Sequence, residues 1–378
     1  MIKHKSGTNV VVCPAFVDVH VHLREPGRPD KETIRTGSLA AASAGYTCIC
    51  PMPNLDPVPD CPENLERQLE IIRRDACIRV LPYASITLGR KGLEPVDIKA
   101  MKNSVAAFSD DGSGVQDDAV MRRAMEAVAA EGCILAAHCE DSSLLRGGYI
   151  NDGPYARAHG HRGICAESEW GQIARDLELA AQTGCAYHVC HISTAKSVEI
   201  IRQAKKSGVN VSCETAPHYL LLTENDLQED GRFKMNPPLR LPEDRDALIE
   251  GVKDGTIDMI ATDHAPHTAE EKSRGLEHSA MGIVGLETAF PLLYTHLVRK
   301  GVISLERLVH MMSIAPRERF NLGDAPQDTT TYDLDAVWTI DSSKFISKGH
   351  STPFDGWEVY GKCLETRYNG KTVYTSEI

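Results

Sequence analysis

The stretch Phe16-Val17-Asp18-Val19-His20-Val21-His22-Leu23-Arg24-Glu25-Pro26 is an apolar run whose exit carries two histidines two residues apart. Side chains alternate along a strand, so His20 and His22 project to one face. Two imidazoles held that way form half of a metal site. Arg24 is next on that face and could hold an anion beside the metal. Taken alone, the pair fits a strand with two surface histidines equally well. Its meaning depends on what the rest of the chain brings to the same place.

Outward from this stretch, β-rich runs alternate with helical patterns. Strands are expected at Ala15–His22, Tyr46–Pro51, Arg79–Ile86, Val105–Ser109, Cys133–His138, Ala186–His191, Val209–Glu214 and Met259–Thr262. Several are unbroken apolar runs, as parallel strands buried on both faces require. Helices are expected at Lys31–Ala44, Glu63–Arg74, Asp117–Ala130, Ser168–Thr183, Thr194–Lys206, Pro242–Lys253, Leu286–Arg299 and Leu305–Ile314. Gly45, Gly132, Gly184 and Gly208 follow four of them as stop signals. This alternation predicts an α/β fold, a (β/α)8 barrel of the TIM type. An open doubly wound sheet competes, but its Gly-x-Gly-x-x-Gly loop is absent after the first strand. Asp333–Ile340 and Trp357–Tyr374, with the turn signal Asn369-Gly370, read as a small β extension. The expected division is a barrel over 14–320 and a β subdomain from 1–13 and 321–378.

Composition narrows the function. The 378 residues carry 41 basic and 53 acidic side chains, a net charge of −12, so nucleic acid and anionic membranes are poor partners. No apolar run reaches a membrane span and the N-terminus lacks a signal-peptide core, so a cytoplasmic location is expected. The 12 cysteines are scattered without a Cys-x-x-Cys pair and read as reduced core thiols. Cys48-Ile49-Cys50 reads as a core strand rather than a soft-metal site.

In such a barrel the active site lies at the C-terminal ends of the strands. Those ends carry His20 and His22, Asn54, Asp110 and Asp111, His138, His191, and Asp263 with His264 and His267. One of these is most simply a hydrogen-bonded histidine or a loop cap. All of them at the same end of successive strands is not. Imidazole and carboxylate donors without thiolate suit Zn²⁺, or Mn²⁺ and Co²⁺ in its place. Six donors suit two ions roughly 3.5–4 Å apart. Asp110 or Asp111 is placed to bridge them.

The segments Asp18–Gly27, Phe108–Gly112, Ala137–Asp141, His188–Thr194, Asn236–Arg240 and Thr262–His267 resemble dihydroorotases of the amidohydrolase superfamily, the bacterial class with an aspartate between its metals. The resemblance runs from Pro14 to Arg319 and resumes at Trp338–Val373. It implies zinc-dependent, reversible cyclisation of N-carbamoyl-L-aspartate to L-dihydroorotate in pyrimidine biosynthesis, with two Zn²⁺ per subunit. It implies that His20, His22 and Asp263 hold one ion, that His138 and His191 hold the other, and that Asp111 bridges, with Asp110 as fallback. Asp263 is then also the catalytic base and acid. Arg24 and Asn54, assisted by His267, would take the substrate carboxylate, and Asn236, Met281 and Gly282 the ring. His264 is given a structural role, and His188 and His218 none in catalysis. The resemblance admits a homodimer and an association with aspartate transcarbamoylase. Two alternatives remain: another cyclic amidase, hydantoinase-like or allantoinase-like, whose bridge would be a modified lysine, and a non-catalytic partner of aspartate transcarbamoylase, which would lack ligands. The chain departs from the pattern in a shortened β extension, in Met281 where an aromatic residue is common, and in Tyr219 where a second histidine is common. The polar loop Asp263–Arg274 reads as a lid or a plain solvated loop.

Overall fold

The computed structural model describes residues 2–4 and 9–376; of the expected terminal β segments, residues 1, 5–8 and 377–378 lie outside the described residues. Strand Phe16–Val21 is buried at every position, as its apolar run requires. It pairs in parallel with Tyr46–Pro51, which pairs in parallel with Arg79–Val80. A second parallel set runs Ile134–Ala137, Ala186–Val189, Val211–Thr215 and Met259–Ile260. Parallel bridges join the two sets: Ala84 to Phe108, Phe108 to Leu135, and Val21 to His264. The pairing therefore returns to the strand where it started.

Of the expected strands, two shrink most. Arg79–Ile86 keeps only Arg79–Val80 as regular strand, because Pro82 cannot donate to a ladder. Val105–Ser109 is reduced to the bridge at Phe108, yet its backbone still donates to Ile134 and accepts from Ala136. The expected helix at Lys31–Ala44 begins three residues late, at Ile34, because Thr33 caps it in a reciprocal pair with Thr36. Helices Asp118–Ala130 and Ala195–Lys206 start on the side-chain caps Asp117 and Thr194. Glu167–Thr183 and Pro242–Asp254 stop at Gly184 and Gly255 in left-handed conformation. The last two expected helices split. Ala289–Leu293 and Leu305–Val309 each run into a π turn, Tyr294–Val298 and His310–Ile314. In the second, Pro316 has no N–H for the carbonyl one turn back, and the helix widens before it.

A five-stranded antiparallel sheet gathers both ends of the chain, in the order Lys3–His4, Val10–Pro14, Thr329–Thr339, Glu358–Tyr368, Lys371–Thr375. Trp357–Tyr374 folds back at the expected turn Asn369-Gly370, both with positive φ, into the paired strands Glu358–Tyr368 and Lys371–Thr375. Phe16 stacks on Phe290 at 5.3 Å, and Phe290 meets Tyr332 at 4.1 Å. That aromatic group, with Tyr332 Oη donating to the Ala44 carbonyl, ties the sheet to the parallel strands.

Candidate functional site

His20 and His22 leave their strand on one side, as alternation requires, and meet Asp111 and Asp263. His20 Nε2 lies 3.2 Å from Asp111 Oδ1 and 3.5 Å from Asp263 Oδ1. His22 Nε2 lies 3.0 Å from Asp263 Oδ1 and 3.5 Å from Asp111 Oδ2. On the other side of Asp111, His138 Nδ1 and His191 Nε2 stand 3.7 and 3.6 Å from its Oδ1, and 2.9 Å from each other. Asp111 therefore belongs to two donor groups, one with His20 and His22, the other with His138 and His191. All are buried.

Asp110 is placed elsewhere. Its carboxylate accepts from the backbone of Ile86 and Thr87 and from the Thr87 hydroxyl. It anchors the turn, and Arg90 grips the carbonyls of Asp110 and Asp111 from outside.

The donor set passes a chemical test for a cation. His20 Nε2 and Asp111 Oδ1 are buried and make no hydrogen bond, a costly state for polar atoms unless something fills it. Asp111 is held well below the usual carboxylate range: burial opposes ionisation, but the surrounding imidazoles outweigh it. Asp263 is held down in the same way, by His22 and His20 against burial. Cys190, whose thiol burial pushes up to about 12, reaches the back of His20 beside Glu214, away from Asp111. These buried His and Asp groups are fit to hold metal.

A cavity of about 190 Å³ opens onto the group. It is lined by every predicted site residue except His20, which lies beneath it. Arg24 is half-buried, donates to the Pro266 carbonyl at 3.3 Å and has no carboxylate partner among the described residues. His267 sits beside it, 3.5 Å away, with Nε2 2.7 Å from the Met281 carbonyl and Lys31 Nζ 3.1 Å from its Nδ1. Burial and the cations Arg24 and Lys31 push its imidazole down to about 3, so the ring is neutral. Gly282 has φ of +132°, and a Cβ there would stand 2.7 Å from Ala265. Only glycine lets this wall come so close.

Residues 9–197 match the family model described as dihydro-orotase-like. The curated dihydroorotase of Shouchella clausii is 53% identical over 378 residues, 98% of this chain and 88% of that protein. This chain belongs to the dihydroorotase family. The dihydroorotase of Bacillus caldolyticus is 51% identical, over 96% of this chain and 87% of that protein. Among solved structures, the L-hydantoinase (dihydropyrimidinase) from Arthrobacter aurescens superposes with a TM-score of 0.86 at 27% identity, covering 97% of this chain and 86% of that one.

The dihydroorotase motifs account for the rim but not for what stands behind it. Three backbones at the site take positive φ without glycine: Arg24 (55°), His191 (32°) and Asp263 (48°). Such strain persists where surrounding contacts over-determine it. Asn54 accepts from His22 Nδ1 at 2.9 Å, so it orients that ring. Asn236 gives its amide to Glu140 at 2.7 Å, and Glu140 faces His138 Nε2 at 3.7 Å. Tyr219, the departure beside His218, donates to the Pro237 carbonyl at 2.6 Å and holds the Asn236 loop. His188 has a partner that sequence reasoning missed, Glu214, 3.0 Å away. The signal was present: Glu214 is an acid at the end of a predicted apolar strand, like the rim residues that were found.

Proposed function

We propose that the protein is a dihydroorotase, interconverting N-carbamoyl-L-aspartate and L-dihydroorotate for pyrimidine synthesis in the cytoplasm. The observation that carries this reading is the half-buried Arg24, without a carboxylate partner among the described residues, facing an Asp-centred His group across one small cavity. The returning parallel ladder supports a closed (β/α)8 barrel over 14–320, with the terminal sheet as a second unit. The paired donor groups support two Zn²⁺: His20 and His22, with Asp263 beside them, would hold one, His138 and His191 the other, and Asp111 would serve both.

Two divalent cations held there supply a lowered water pKa and polarisation of the amide carbonyl. The chain does the rest. Arg24 takes the substrate carboxylate, in the planar two-bond fashion that a lysine cannot reproduce. Asn54 keeps His22 turned and lines the same wall. Neutral His267 holds the Met281 carbonyl, so that Met281 and Gly282 form a fixed ring wall. Asn236, its amide spent on Glu140, leaves Oδ1 for a donor on the ring. Asp263 accepts the proton of the attacking water and delivers it to the leaving ring nitrogen. In the biosynthetic direction Asp263 enters protonated and assists loss of water from the carboxyl group.

The rival hydantoinase reading draws on the Arthrobacter aurescens superposition. Against it, Asp111 is shared by the two donor groups, and among the described residues no lysine lines the cavity. Assays of the purified protein on dihydroorotate, hydantoin and allantoin decide between them. We expect turnover of dihydroorotate alone. Faster turnover of either other ring would overturn the proposal.

A further inference from the structure

Behind the cavity a file of buried polar side chains leads away from substrate. Glu214 lies on strand Val211–Thr215 and is 1% exposed. Its Oε1 is 2.7 Å from His20 Nδ1 and 3.3 Å from the backbone nitrogen of His191. Its Oε2 is 3.0 Å from His188 Nε2. His188 Nδ1 in turn is 2.7 Å from Ser212 Oγ, two residues earlier on the strand of Glu214. None of Glu214, His188 and Ser212 lines the cavity.

A carboxylate can only accept, which assigns the protons along this file. The neutral His20 ring must carry its proton on Nδ1, leaving a lone pair on Nε2, the atom that faces Asp111 and Asp263. His188 must carry its proton on Nε2, so its Nδ1 accepts and Ser212 donates. The same oxygen that fixes His20 also holds the strained backbone at His191, which belongs to the other donor group. One side chain is thus joined to both halves of the site. Second contacts of this kind set the tautomer and aim of a ligating imidazole.

We propose that Glu214, itself held by His188 and Ser212, is a positioning residue that fixes His20 as an Nε2 donor and aligns His191 with it. The inference rests on the metal reading above. In Glu214→Gln the amide keeps the shape but offers one acceptor and one donor, so it cannot accept from both rings at once.

The test strips wild type and E214Q of metal with a chelator and titrates each with Zn²⁺. Histidine ¹⁵N shifts of the Zn²⁺-loaded proteins report which nitrogen of His20 carries its proton. We expect wild type to bind two Zn²⁺ with His20 protonated on Nδ1. E214Q should bind about 10–100-fold more weakly, show a mixed His20 tautomer, and unfold in urea near the wild-type midpoint. Ser212→Ala removes only the last donor and should shift tautomer and affinity the same way by a smaller factor, a result that stands if E214Q fails to fold. Unchanged affinity and an unchanged His20 tautomer in the folded variants would overturn the proposal alone. Wild type that takes up no Zn²⁺ would overturn the metal reading and this inference with it.

Discussion

Asp263 has two proposed tasks, and one substitution separates them. An asparagine keeps a carbonyl oxygen where Oδ1 faces His22 and His20, but it cannot accept and return a proton. Asp263→Asn should keep its metal content and lose about 10²–10⁴-fold in kcat. Metal analysis and turnover on the same sample check it; wild-type rates would remove Asp263 from the proton path. The identities of such residues were legible because each metal-site residue stands at the end of an apolar run. The choice of Asp111 over Asp110 came from the family resemblance, not from the residues themselves. Two adjacent carboxylates look alike on paper, and only the fold sends one to the backbone of Ile86 and Thr87. The left-handed backbones at Arg24, His191 and Asp263 also left no trace, since none of the three is glycine.

Among elements, the segment after Asp263 shows how a polar composition misleads. Its Glu and Lys content suggested a lid or a solvated loop. In the structure Lys272 is 7% exposed and donates to the carbonyls of Lys234, Ala280 and Gly282 at 3.0, 2.8 and 2.7 Å. Three acceptors use all three protons of an ammonium. Thr268 and Glu271 cap the short helix Ala269–Lys272, and Glu271 pairs with Lys31 at 2.9 Å. This is a wall, stitched from within. Lys272→Met would leave three carbonyls short of a donor and should cost about 3 kcal/mol. Urea unfolding measures that loss, and a rise in KM exceeding any fall in kcat would follow from the displaced Met281-Gly282 wall. A variant as stable as wild type would show that the stitch carries no weight. Helix starts and stops were largely legible, because caps and glycines act locally. The π turns were not, because they answer to packing and to proline several residues away.

At the scale of the molecule, burying a neutral histidine makes stability depend on pH. His267 is pushed down from 6.5 to about 3 by burial, Arg24 and Lys31. The unfolded chain therefore binds a proton in that window and the native one does not, so the contribution is present above 6.5 and lost as pH falls toward 3. His267→Asn should flatten the loss of stability between pH 7 and pH 5, read from urea midpoints of metal-free protein. Coincident profiles for variant and wild type would assign the acid loss to other groups. The alternation of strands and helices made the parallel ladder legible, since period and apolar runs carry it. Its return through Val21 and His264 was an expectation from fold class, not from any local signal. The same holds for Val10–Pro14, whose partner lies at the far end of the chain.

That last pairing has a consequence for birth order. Cys13 faces Thr330, 317 residues on, and every proposed site residue lies between them. A nascent chain leaving the ribosome N-terminus first has made the whole catalytic constellation before Thr329 exists. Until then the edge of Val10–Pro14 that takes Thr329–Asp333 is open, and an open edge is a template for a neighbouring chain. The terminal sheet is thus the last seam to close, and the period before it closes is when this protein is most exposed to aggregation.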